Sequence, residues 1–174
     1  MKKVAIIQAR MGSARFPGKV LEYLRDKPIL EWVIDAVSQI PMIDEIVVAA
    51  PDKNSDDPIE QWCTNKSICV FRGNEDDVLT RYYEAANFVN AGIILRITAD
   101  CPLLDPNIAG QVLYLVTSNQ ADYATNTMPP TWPDGLDCEA FTFKALEDAF
   151  ISATSLTDRE HVTSHHSKIT YRNF

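Results

Sequence analysis

The sequence contains no CxxC pair. Its four cysteines, Cys63, Cys69, Cys101 and Cys138, stand well apart, which argues against a zinc knuckle or a thiol redox motif and leaves reduced, partly buried thiols. No apolar run approaches the ~20 residues that span a bilayer. The amino-terminal MKKVAIIQARM starts basic and then apolar, but Gln8 and Arg10 break the run too early for a signal peptide, so the chain reads as cytoplasmic. Gly12 lacks the partner glycines of a GxGxxG turn, which removes a dinucleotide-binding dehydrogenase. Internal repeats and low-complexity segments are also missing. Cations are the minority charge: 16 Lys and Arg face 24 Asp and Glu, for a net charge of −8. An acidic body of this kind argues against nucleic acid or an anionic membrane as partner.

The scarce cations are concentrated. Residues 1–27 hold seven Lys or Arg against only Glu22 and Asp26. Within them, QARMGSARFPGK (Gln8 to Lys19) joins a short apolar run, Val4 to Ile7, to a loop of small residues. Gly12, Ser13 and Gly18 allow tight turning and close approach to a ligand, while Arg10, Arg15 and Lys19 surround the loop with fixed charge. Exposed amides and cations together bind anionic oxygens, so the expected ligand is a polyphosphate.

The rest alternates strand-like runs with helical periodicity, the pattern of βαβ units in a mainly parallel sheet; with 46% apolar residues, 174 residues suffice for one α/β core. Asp26 is expected to cap a helix with Pro28 in its first turn and Leu30, Val33, Ile34 and Val37 inward. Strands are expected at Ile46–Ala50, Ile68–Phe71, Ile93–Ile97, Asp122–Asn126 and Cys138–Phe143, with a weaker helix at Ile59–Thr64. Asn74 is expected to cap a helix whose first turn is Glu75, Asp76 and Asp77, with Val78, Leu79, Tyr82, Ala86 and Val89 inward. Asp105 and Pro106 open another helix as cap and first residue, with Ile108, Val112, Leu115 and Val116 inside. Met128 to Gly135 reads as a proline-rich surface loop carrying Trp132, followed by helices at Lys144–Ala153 and Asp158–His166 and a strand-like ITYRNF ending at Phe174.

A second chemical feature, TADCPLLD (Thr98 to Asp105), directly follows the fourth strand. Ligands of open parallel sheets gather outside the carboxyl ends of the strands, so Asp100 should face the same crevice as the basic loop. A carboxylate beside a polyphosphate is a natural Mg²⁺ ligand.

The ordered motifs ARMGSARFPGK, FRGNEDDVLTRYYEAA, RITADCPLLDP, DYATN, PDGLDCE and DREHVT resemble the cytidylyltransferase family linked to spore-coat polysaccharide synthesis, relatives of the CMP-sialate and CMP-Kdo synthetases. The resemblance runs nearly end to end. It implies a single domain over residues 1–174 with a three-layer, Rossmann-like, mixed and mainly parallel sheet of the nucleotide-diphosphosugar transferase type. It further implies Mg²⁺ as cofactor, with CTP and a small acidic sugar-like acceptor as partners. Carried onto this chain, the nucleotide would be held by Ala9, Arg10, Gly12, Ser13, Arg15, Lys19, Gly73 and Asn74, with Arg10, Lys19 and Asp100 catalytic and Asp100 holding the metal. Arg96, Asp137 and Glu139 would meet the acceptor.

Relatives in this family extend further and place a second metal-binding aspartate in a carboxy-terminal DTxxD-like segment, which this chain lacks before Phe174. Three readings stay open: Asp137 substitutes, another subunit contributes the ligand, or the chain is a truncated and catalytically weak form. With that segment missing, Ile151, Leu156, Val162 and Ile169 are expected to be left partly uncovered, favouring a homodimer or larger assembly. Other side chains take plainer readings. His161 and His165 lack a third ligand and read as surface or contact histidines; Asp76 and Asp77 serve the helix dipole; Cys101 has no activating base; Tyr82 and Tyr83 pack in the core. Two alternatives stay open: a glycosyltransferase of similar fold, for which Asp100-Cys101-Pro102 fails to supply a DxD motif, and a catalytically silent nucleotide-binding module.

Overall fold

The computed structural model describes residues 1–13, 15–130 and 132–162, His161 by its backbone alone. Strands β1 (Lys3–Gln8), β4 (Glu45–Pro51), β5 (Cys69–Gly73) and β6 (Ile93–Thr98) lie parallel in the order β5-β4-β1-β6. Beyond β6 the sheet turns antiparallel through β8 (Glu139–Thr142) to β7 (Tyr123–Thr125). The sheet is therefore mixed and mainly parallel, as the βαβ pattern predicts.

Side-chain alternation sends each strand to two cores. Ala5, Ile7, Val48, Ala50, Leu95 and Ile97 pack towards α1 (Ile29–Ser38), α2 (Asp57–Asn65) and α4 (Pro106–Thr117). Val4, Ile6, Val47, Ala49 and Ile94 face α3 (Val78–Phe88) and α5 (Phe143–Ser152). Helices on both faces explain why the central strands are apolar throughout. Tyr82 is fully buried and donates to the Ile6 carbonyl at 3.4 Å, while the Tyr83 ring stacks on Phe150 at 4.3 Å. Both tyrosines thus belong to packing. No helix among the described residues is long and apolar enough to cross a membrane.

Two helix starts differ from expectation. Asp26 caps nothing: residues 25 and 26 turn a small hairpin between β2 (Tyr23–Leu24) and β3 (Lys27–Pro28), and α1 begins after Pro28. Arg25 takes a left-handed conformation there (φ 63°), and the Ile29 amide bonds back to Glu22. Asn74 likewise precedes its helix, its side-chain oxygen accepting the amides of Asp76 and Asp77 at 2.9 Å; Asp77 is the cap, accepting Thr80 N–H at 2.9 Å. The acidic run therefore forms an Asx turn ahead of α3. Asp105 does cap α4, accepting the Asn107 and Ile108 amides.

The short helix α6 (Leu156–His161) is tied back by Arg159, which pairs with the Asp77 cap at 2.8 Å. Of the apolar residues expected to be uncovered, Ile151 and Leu156 are exposed, whereas Val162 is wholly buried against the α3 and α5 core, a correction. Ile169, His165, the end of the expected 158–166 helix and the ITYRNF strand lie outside the described residues, as does the His161 side chain.

Candidate active site

The β1 backbone continues past its last strand residue through Ala9, whose amide bonds the Ala49 carbonyl at 3.1 Å, and Arg10 then leaves the sheet. Met11 forms the neck of the following loop. Its carbonyl accepts the Gly18 amide at 2.8 Å, and its own amide donates to Asp56 Oδ1 at 2.7 Å. Gly18 sits at φ 76°, a conformation that favours glycine, and hands the chain to a 3₁₀ turn, Lys19–Leu21, anchored by buried Val20. Inside the loop the amides of Gly12 and Ser13 donate to no described residue. Among the described residues, then, nothing competes with an anion for them.

This loop and the β6 terminus enclose a cleft of about 360 Å³, lined by Gln8, Arg10, Gly12, Ser13, Arg15 and Lys19 on one side and Thr98 and Asp100 on the other. Lys19 Nζ crosses it to Asp100 Oδ2 at 2.5 Å. Partial burial works to raise the Asp100 carboxyl, but hydrogen bonds from Lys19 and Thr98 outweigh it and hold the group below the ordinary carboxylate range. At the floor, Gln8 Oε1 is buried without a partner among the described residues. The basic loop and the acidic turn, distant in sequence, thus meet as expected. Among the described residues no cluster of three or more His, Cys, Asp or Glu could hold a metal by itself. Asp100 offers one hard oxygen ligand, which suits a Mg²⁺ ion whose other ligands are phosphate oxygens and water.

The remaining candidates lie elsewhere. Ala9 is buried behind the loop, and Gly73 and Asn74 are not among the described residues lining the cleft. A Cβ at Gly73 would meet the Phe71 ring at 3.0 Å and Arg81 Cγ at 3.1 Å, so any larger residue there needs these side chains to give by a few tenths of an ångström. The next residue, Glu75, does approach: its Oε1 lies 3.8 Å from where a Gly12 Cβ would be, and its carboxylate pairs with Lys53. Arg96 and Glu139 occupy one register pair of β6 and β8 and form an ion pair below the cleft. Tyr123 OH donates to Glu139 Oε1 at 2.5 Å, and the Arg96 guanidinium lies 5.6 Å from the Tyr82 ring centre. Burial works to lower the Arg96 guanidinium, yet the adjacent Glu139 carboxylate raises it above its usual value. Asp137 is half-buried, its carboxyl raised by desolvation and then by Asp134. Burial also raises the Cys101 thiol, whose sulfur lies 3.1 Å from Thr98 Oγ1; it is not an activated nucleophile.

Sequence reasoning missed two buried charges. Arg81 is 1% exposed and donates through Nη1 to the carbonyls of Asn74 and Glu75, fixing the loop beside Gly12; burial foremost, with nearby Arg10, lowers its guanidinium. Its signal was a cation on the inward stripe of α3, three residues after Val78 and next to Tyr82. Asp56, also 1% exposed, holds Met11. Nothing local marks it apart from an ordinary helix-capping aspartate.

The chain is similar to known proteins in sequence and in fold. Residues 4–172 match the family model described as cytidylyltransferase. An uncharacterized protein of Methanocaldococcus jannaschii is 39% identical over 163 residues, covering 94% of this chain and 66% of that protein. The spore coat polysaccharide biosynthesis protein SpsF of Bacillus subtilis is 33% identical over 166 residues, covering 90% and 69%. Among solved structures, a cytidylyltransferase from Leptospira borgpetersenii superposes with a TM-score of 0.93 at 33% identity, covering all of this chain and 76% of that one. A CMP:2-keto-3-deoxy-manno-octonic acid synthetase complexed with CTP superposes at 0.78 over all of this chain and 89% of that one; at 19% identity it shows the shared fold alone. The chain therefore spans about two thirds of the length of these two sequence relatives.

Proposed function

The chain belongs to the cytidylyltransferase family, and from that premise we propose that it transfers CMP from CTP to an acidic sugar or related polysaccharide precursor, releasing pyrophosphate. The observation that carries this reading is the cleft itself: among the described residues, two loop amides without a partner and three cations, Arg10, Arg15 and Lys19, line it with one carboxylate, Asp100. That set fits a triphosphate with its metal better than it fits a neutral sugar.

In the proposed step an acceptor oxygen attacks the α-phosphorus of CTP in line with the bridging oxygen that leaves. One P–O bond forms and one breaks, pyrophosphate departs with the electron pair, and a hydroxyl acceptor releases its proton to solvent. Gly12 and Ser13 amides orient the phosphates, and Arg10, Arg15 and Lys19 compensate the charge that builds on the leaving group. Asp100 is the residue that would hold Mg²⁺, which would supply further neutralisation of the phosphates. Arg96 and Glu139 act from below the cleft by holding the β6 and β8 ends in register. Asp137, on the loop before β8, remains the candidate for direct acceptor contact.

Pyrophosphate release with CTP and a panel of sugar acids tests the reading. Release that requires both CTP and one acceptor supports it. Nucleotide binding without release for any acceptor would instead favour the silent module.

A further inference from the structure

We infer that Asp56 is a positioning residue for the phosphate loop, holding its neck so that the Gly12 and Ser13 amides stay turned into the cleft. The inference rests on the proposed phosphate-binding role of that loop. Asp56 occupies the cap position of α2, where an aspartate ordinarily accepts an amide of the first helical turn. Here its side chain makes no capping bond. It is 1% exposed and turned away from its helix: Oδ1 accepts Met11 N–H at 2.7 Å, and Oδ2 accepts the Ser55 hydroxyl at 2.8 Å. No lysine or arginine forms an ion pair with it among the described residues.

A buried carboxylate beside an anion-binding loop repels the ligand, so its position needs a compensating role. Met11 supplies one. This residue closes the loop by accepting Gly18 N–H at 2.8 Å, so anchoring its amide fixes both ends of the turn with one bond. With the Met11 amide directed into the protein, the next two amides have no partner among the described residues. Preorganised donors of this kind bind an anion without first being ordered.

Two variants separate the tether from the cap. Asp56→Ser keeps a good capping residue but is too short to reach Met11, whereas Asp56→Asn keeps an acceptor at Oδ1. Inorganic tripolyphosphate serves as probe because it needs neither base nor acceptor. Affinity should fall about tenfold or more in Asp56→Ser, which loses the bond to Met11, and stay within about threefold in Asp56→Asn, which keeps a neutral acceptor for it. Amide exchange of Met11 and Gly18 in the ligand-free protein should accelerate in Asp56→Ser, with α2 unchanged. Wild-type affinity or unchanged loop exchange in Asp56→Ser would overturn the assignment, as would an equal loss in Asp56→Asn. Failure of the unmodified protein to bind tripolyphosphate would overturn the phosphate-loop reading itself.

Discussion

Replacing Asp100 by Asn should change nucleotide affinity in opposite directions with and without metal. In the ligand-free cleft Lys19 is bonded to Asp100 at 2.5 Å, with about a third of each side chain exposed. A triphosphate must break that pair. Half-exposed pairs are worth about 0.2–1 kcal/mol, and a charge-assisted contact from a freed Lys19 to phosphate is worth about 1.5–3 kcal/mol. The net contribution of Lys19 is then about 0.5–2.8 kcal/mol, so Lys19→Ala should weaken CTP binding roughly 2- to 100-fold. Asp100→Asn frees Lys19 and removes a like charge facing the phosphates. With chelator present it should bind CTP two- to fivefold more tightly than the parent, roughly the value of the broken pair. With Mg²⁺ present it should bind more weakly, because its metal ligand is gone. Calorimetric titration of both proteins, with and without Mg²⁺, reads the sign directly. Weaker binding by Asp100→Asn in both conditions would refute the competition between Lys19 and the metal for this carboxylate.

Arg10→Ala should weaken tripolyphosphate and CTP alike by about 1.5–3 kcal/mol, checked by competition titration, since its contact is to phosphate. Glu139→Ala should cost up to about 3–5 kcal/mol of stability in denaturant unfolding, because it removes the carboxylate from an Arg96 side chain that is only 18% exposed; a stable but inactive variant would return Glu139 to the acceptor site. Alkaline unfolding should begin above pH 9. The Cys63 and Cys138 thiols are pushed from 9.0 to about 12 and the Tyr82 phenol from 10.0 to about 12, chiefly by burial, so the unfolded chain loses these protons first and stability falls as pH rises between those limits. The melting temperature measured across pH 8–12 checks this, and Cys63→Ala should reduce the slope.

The parallel strands were legible because both of their faces are buried, which leaves short apolar runs such as Val4 to Ile7 between helical segments. Asp105 was legible as a cap because Pro106 follows it. The 23–28 hairpin was not, since two strands of two residues carry no periodicity and Asp26 before Pro28 looks like a helix start. The basic loop and Asp100 came out because both follow strands whose carboxyl ends lie together in a parallel sheet. The Arg96–Glu139 pair did not. It depends on the antiparallel register of β6 and β8, which brings together residues 43 positions apart. Asp56 depends on a contact across 45 positions, and its local sequence already offers a complete explanation as a helix cap.

The central claim is that the cleft between the basic loop and Asp100 receives CTP. Titrating the protein with CTP, UTP, ATP and GTP in Mg²⁺, each with tripolyphosphate as competitor, tests it before any acceptor is known. The account predicts one site per chain, CTP bound most tightly, and displacement by tripolyphosphate. Absence of CTP binding, or CTP binding that tripolyphosphate leaves untouched, would contradict it.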